Sequence, residues 1–185
     1  MRSRQAATLI EVLLAAVLGL SFFAILIAIF LQLGAAGRMG GSRIDAQLRA
    51  RQAARRVVPY LRFATPPNTA AEAIYYPDQD TTASNVVFAV PEDLLKTATP
   101  FDPRNPSYYL YQIRHDSASK KLILEEFYSP TSATNLAIDI AAFNVTRIHL
   151  GGLVLRLRTE STARDARGYQ KVVPYEIEEA VEVPH

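Results

Sequence analysis

Position 11 is a glutamate, and the twenty residues that follow it, VLLAAVLGLSFFAILIAIFL from Val12 to Leu31, contain no charge. A carboxylate next to lipid costs a few kcal/mol, so an acidic residue at the mouth of such a run marks function by default. Other residues offer less chemistry. The three histidines are His115, beside Asp116 in an expected turn, His149, near the end of an expected strand, and His185. No HxxxH, HExxH, nucleophile elbow or glycine-rich phosphate loop accompanies them, so no catalytic residue is assigned. Asp78, Asp80, Thr82 and Ser84 alternate like the first oxygen ligands of a calcium loop. Ala83 stands where that loop needs Gly, and Ala89 where it needs the closing Glu, so a solvated turn is expected and no metal. The chain has no cysteine, which removes disulfides, structural zinc and thiol catalysis together. No cofactor is implied.

The elements that must position Glu11 follow from hydropathy and punctuation. About 20 apolar residues at 1.5 Å each cover the ~30 Å hydrocarbon core of a bilayer. A helix apolar on every side, as Val12 to Leu33 would be, belongs in lipid or inside a bundle. Gly34, Gly37, Gly40 and Gly41 come next; each weakens a helix by about 1 kcal/mol relative to Ala, so "GAAGRMGG" is expected to be a soft hinge. From Ser42 the helix should resume, with Ile44, Leu48, Ala54, Val58 and Leu61 on its inner face. Pro59 should kink it or mark its last turn, and "TPPN" from Thr65 should end it. Arg38, Arg43, Arg49, Arg51, Arg55, Arg56 and Arg62 cluster there with only Asp45 opposing them, although the net charge is just +2. Charge runs are usually solvated faces. No aromatic platform or base-reading motif accompanies the arginines, so direct nucleic-acid binding is not expected, leaving lipid headgroups or acidic neighbours as the other use.

After Asn68 the pattern turns to β. Strands are expected at Asn85–Val90, Ser107–Arg114 and Lys120–Tyr128, the last two joined by a polar turn. A Pro-rich loop, "FDPRNPSYY" from Phe101, carries aromatics that pack on the sheet or present a contact surface. One strand is expected over Leu136–Leu150 and another over Gly152–Thr159, where Leu153, Leu155 and Leu157 alternate with Arg156 and Arg158. A final strand is expected from Tyr169 to Val183, where Pro174 argues for an edge strand or a bulge. The fold class is α+β: a long N-terminal helix, transmembrane then amphipathic, packed on a C-terminal antiparallel meander.

The stretch "AATLIEVLLA" resembles the start of type IV pilins and type II secretion pseudopilins. A secretory signal core is ~7–15 residues, shorter than this one, and neither such a signal nor a plain signal anchor has a use for Glu11. The resemblance implies a leader over 1–6, cleavage between Ala6 and Ala7 by a prepilin peptidase, and N-methylation of Ala7. The family usually has Gly before the cut and often Phe after it; here both positions are Ala. Thr8 and Glu11 would then serve assembly, with Glu11 fifth in the mature chain and setting register against a neighbour's amine. The implied organisation is a transmembrane helix over 7–33, the glycine hinge and periplasmic half-helix over 34–64, and a globular β domain over 65–185. The implied location is the inner membrane, single-pass with the domain in the periplasm, and afterwards a filament. The implied partners are major and minor pilin-like subunits, the peptidase, the inner-membrane assembly platform and membrane lipid. The strand order and the Glu/Val-alternating end resemble minor pilins and J-type minor pseudopilins. The alternative is a periplasmic binding domain or enzyme on an uncleaved anchor.

Overall fold

A computed structural model describes residues 9–66, 72–91, 108–127, 133–149 and 152–183. Helix α1 runs from Leu9 to Arg62, 54 residues, or about 80 Å at 1.5 Å per residue. Its sequence is rich in Ala, Leu, Arg and Gln, which lose little rotamer freedom in a helix. The helix passes through Gly34, Gly37, Gly40 and Gly41 without a break, whereas the sequence predicts an interruption. Four glycines are not enough to stop a helix that is held by packing beyond them. Pro59 sits in the last turn, and the amide of Phe63 closes on its carbonyl at 3.1 Å.

Burial divides this helix sharply. From Leu9 to Leu33 the large apolar side chains are bare, Leu9 at 85% and Phe30 at 80%. Burial begins at Ala35 and continues through Ala46, Ala50, Ala53, Ala54, Val57, Val58 and Leu61. The inner face is thus largely an alanine ridge. Ile44 and Leu48, expected on that face, are 57% and 51% exposed instead. Alanine wins the inner position because a helix whose contact residues end at Cβ can lie closer to a sheet than one carrying branched side chains.

The strands form two antiparallel sheets, not one meander. The first has the order β1-β3-β4-β5-β6, with β1 at Ile74–Tyr76, β3 at Asn85–Pro91, β4 at Tyr108–Asp116, β5 at Lys121–Glu126 and β6 at Thr134–Ala137. The second has the order β2-β7-β8-β9, with β2 at Thr82–Ala83, β7 at Ile140–Arg147, β8 at Gly152–Arg164 and β9 at Gln170–Glu182. The single strand expected over Leu136–Leu150 is two strands that belong to different sheets. The chain changes sheet at Ile138–Asp139, where Asp139 takes a φ of 59°; Asp tolerates that left-handed conformation better than most residues. Pro174 lies on β9, an edge strand as expected, opposite Glu160.

The inner residues of both sheets and the second half of α1 make one core. Phe88, Ile113, Leu122, Ile140, Phe143, Leu153, Leu155, Leu157 and Leu61 are its largest fully buried members. The alternation of β8 is as expected: the three leucines are buried, and Arg156 and Arg158 are exposed. Helix α1 lies along β8 and β9. Two polar contacts pin it to β8: Thr159, fully buried, donates its hydroxyl to the Ala46 carbonyl at 2.6 Å, and Ser42 donates to the Thr162 carbonyl at 3.1 Å; a third, from Arg56 to the Leu136 carbonyl at 3.0 Å, ties the helix to β6 of the other sheet.

Candidate functional site: the head of the apolar helix

Glu11 lies in the first turn of α1. The positive end of the helix dipole favours a carboxylate there by a few tenths of a kcal/mol to about 1 kcal/mol. Everything below it, for the length of a bilayer, is an apolar surface that the rest of the chain leaves uncovered: none of the most hydropathic 18-residue stretch is buried. The helix is long and apolar enough to cross a membrane. The arrangement therefore offers one ionisable oxygen pair at the rim of a wholly apolar rod. Such a rod can bind only lipid or other apolar helices, and the carboxylate can discriminate among partners by charge. Ala6, Ala7 and Thr8, the expected cleavage, methylation and assembly positions, lie outside the described residues. Within the rod, the Ser21 hydroxyl is satisfied by the Val17 carbonyl at 2.8 Å.

The four glycines expected to form a hinge follow this rod inside the unbroken helix. A Cβ built on any of them meets nothing within 4 Å. No close approach within the chain explains them. On a helical wheel Gly34, Gly37, Gly41, Ile44 and Leu48 recur at three- and four-residue steps, on the side away from the alanine ridge. That side of the helix remains uncovered from the apolar rod into the arginine-bearing segment.

Higher on the helix, Arg51, Arg55, Pro59 and Arg62 stand out as an exposed ridge between two shallow grooves. One groove is floored by Ala54, Val58 and Ile177 with Glu179 on its wall, and the other lies beside Tyr60, Phe63 and Leu136. Two of the expected solvated arginines are engaged instead: Arg56 with the Leu136 carbonyl, and Arg49 with Asp139 at 3.1 Å, beside the point where the chain changes sheet.

The remaining polar candidates do not converge. His115 hydrogen-bonds the Ile140 carbonyl through Nε2 at 2.9 Å, and His149 contacts Gln79 through Nδ1. The first joins β4 to the start of β7; the second lies at the far end of β7. His185 and the loop from Phe101 to Ser107 are outside the described residues. In the Asp78–Ser84 stretch, the Asp78 carbonyl accepts the Thr81 hydroxyl at 2.7 Å, the Thr82 hydroxyl bonds that of Thr146 at 2.7 Å, and the Ser84 carbonyl accepts the His115 amide at 3.2 Å. Of the four alternating side chains, that of Thr82 is thus engaged across β2–β7, while the Asp78 and Ser84 bonds are made by backbone carbonyls. Among the described residues no group of three or more His, Asp or Glu side chains could hold a metal ion.

One buried polar cluster escaped sequence reasoning. Glu125, with a side chain only 7% exposed, accepts at 2.6 Å from both Gln112 Nε2 and Arg114 Nε. The Arg114 hydrogen bond holds the Glu125 carboxyl below its ordinary range, outweighing the opposing effect of burial. Gln112 faces Glu125 across the β4–β5 ladder, with Arg114 two residues further along. Only the register brings the three together, and no local motif announces it.

No family model matches the chain, and no curated protein or solved structure matches it.

Proposed function

We propose that this chain is a minor pilin or minor pseudopilin: a structural subunit that helps start or cap a type IV pilus or a type II secretion pseudopilus. The observation that carries the reading is the division of α1. A carboxylate heads a bilayer-length apolar rod that the chain itself leaves bare, while a β domain is fastened to the second half of the same helix. An anchor needs the rod but has no use for the carboxylate. A subunit that exchanges lipid for neighbouring helices needs both.

The physical account is as follows. Cleavage of the Ala6–Ala7 bond creates an amine on Ala7. Glu11 of a neighbouring subunit, shifted along the filament axis, would offer it the opposite charge. Two unit charges at 4 Å attract by ~1 kcal/mol in water and by about 4 kcal/mol at an effective dielectric of 20, so the pair strengthens once apolar helices exclude water around it. Apolar packing supplies attachment, and the charge pair selects the axial register. Before assembly the domain would face the periplasm, with the rod in the inner membrane.

The deciding measurement is the intact mass and N-terminal sequence of the protein from native membranes. A chain beginning at methylated Ala7 is the expected result. A chain still beginning at Met1 overturns the processing step and returns the molecule to an anchored binding domain or enzyme.

A further inference from the structure

The hairpin between β8 and β9 reaches down the helix to the level where the apolar rod ends. The hydroxyl of Ser42 ties it to the Thr162 carbonyl, and Arg38, Gly41, Ser42 and Asp45 of the helix border the same hollow as Arg164, Ala166 and Gly168 of the turn. Arg38 is five residues beyond Leu33, or about 7.5 Å along the axis. The headgroup layer of a bilayer extends about 5–7 Å beyond the hydrocarbon on each side. The hollow's helical rim runs from Arg38 to Asp45, about 7.5–18 Å beyond Leu33, so with Val12–Leu33 spanning the bilayer its lower edge meets the outer limit of the headgroup layer, within reach of long basic side chains. Continuous burial of the helix starts higher, at Ala46.

The chemistry of the turn fits that position. Its one carboxylate, Asp165, is turned onto its own backbone: Oδ1 accepts the amides of Arg167 and Tyr169 at 2.9 Å each. Gly168, with φ of 84°, closes the loop by donating to the Asp165 carbonyl at 3.0 Å. Around this closed loop Arg164, Arg167 and Lys171 are exposed, and among the described residues they pair with no carboxylate; Arg38 on the adjoining helix face does the same. Tyr169 is 70% exposed and Val172 51%, an unusual dressing for a turn in water. Basic side chains beside an exposed tyrosine are the composition of a membrane-interface anchor. By contrast Arg51, Arg55 and Arg62 stand about 27–43 Å beyond Leu33 and cannot share the contact.

We infer that the β8–β9 turn is a foot that binds anionic phospholipid headgroups through Arg164, Arg167 and Lys171, with Tyr169 entering the interface. It would hold the unassembled subunit's domain against the bilayer, so this contact must be released when the subunit leaves the membrane. The inference rests on the membrane reading of the rod and not on filament assembly.

The test exploits the absence of cysteine. Full-length protein carrying a fluorophore on Ala166→Cys is reconstituted into phosphatidylcholine vesicles with and without phosphatidylglycerol, with nitroxide-labelled lipid as quencher. Ala24→Cys reports the rod, and Glu182→Cys, exposed opposite Gly152 at the other end of the β8–β9 hairpin, reports the distal domain. Headgroup nitroxide is expected to quench Ala166→Cys in the anionic vesicles and not Glu182→Cys. Arg164→Glu, Arg167→Glu and Lys171→Glu combined should reduce that quenching by roughly half or more, as should high salt on the unaltered turn. Quenching of Ala24→Cys by acyl-chain nitroxide without any at Ala166→Cys overturns the foot and leaves the span standing. Quenching at neither position removes both. Quenching at Ala166→Cys that is indifferent to lipid charge, salt and charge reversal overturns the headgroup contact, because tethering alone would then account for it.

Discussion

At the residue scale, two glutamates divide the work of the molecule. Glu125 is a folding residue. Its carboxylate is buried with Gln112 and Arg114, and its pKa is lowered in the folded state. A lowered folded value means that the folded state holds its proton less tightly than the unfolded chain. The stabilisation is therefore full above the ordinary glutamate range and is lost as pH falls through the folded value. Glu125→Gln keeps the shape and removes the charge, replacing charge-assisted hydrogen bonds by neutral ones, and should cost about 1 kcal/mol near neutral pH. Urea unfolding at pH 7 and pH 3 measures this: the gap between variant and parent should close at the acid end. A gap of equal size at both pH values would mean that the ionised form is not what stabilises. Glu11 makes the opposite case: it heads a run of apolar side chains that the fold leaves bare. Its type and place made it legible at once. Glu125 was invisible because its partners sit 11 and 13 positions away along the chain and only the strand register selects them.

At the element scale, the second half of α1 carries the lesson about legibility. Ile44 and Leu48 drew the expected inner face toward themselves because hydropathy weights bulk. The structure instead buries Ala46, Ala50 and Ala53, at 0%, 0% and 1% exposure. Periodicity located the helix, but alanine is too nearly neutral to announce which side lies against a sheet. The β strands show the same limit: the leucine alternation of β8 was readable, yet nothing in "LAIDIAAF" separates β6 from β7, since the break is a backbone turn at Asp139 inside an unbroken β-prone run. Two outcomes follow for the helix. Ala50→Leu should overpack the helix–sheet seam and cost about 1–3 kcal/mol, while Leu48→Ser should stay within about 0.5 kcal/mol; thermal unfolding in detergent should lower the midpoint of the first variant alone. In the glycine segment, Gly37→Ala and Gly40→Ala meet no obstruction and should each favour the helix by up to about 1 kcal/mol. Slower hydrogen exchange of the amides from Gly34 to Ser42 is the expected reading. Unchanged exchange would show that the glycines do not soften the helix, and the proposed hinge would lose its basis.

At the scale of the whole molecule, the governing fact is the bare rod. Fully burying a Val, Leu, Ile or Phe side chain is worth about 1.5–3 kcal/mol. Over the large apolar residues from Leu9 to Leu33, exposure to water would cost on the order of tens of kcal/mol, beyond the 5–15 kcal/mol that holds a typical fold together. The chain cannot leave lipid unless something equally apolar takes its place. In the proposed filament that replacement would be the rods of neighbouring subunits, and the carboxylate at its head would set how far one slides past another. These two roles separate experimentally. A photo-crosslinking residue placed singly at Ala16, Phe23 or Phe30 should join the subunit to neighbouring pilin-like chains in cells that assemble the filament. Glu11→Ala should leave the protein in the membrane fraction and abolish these crosslinked products, because apolar contact without register does not produce ordered growth. Crosslinks that survive Glu11→Ala would assign assembly to the apolar surface alone and remove the register role from the carboxylate. Crosslinks absent even in the parent would leave a monomeric anchor, whose rod is matched by lipid and by nothing else.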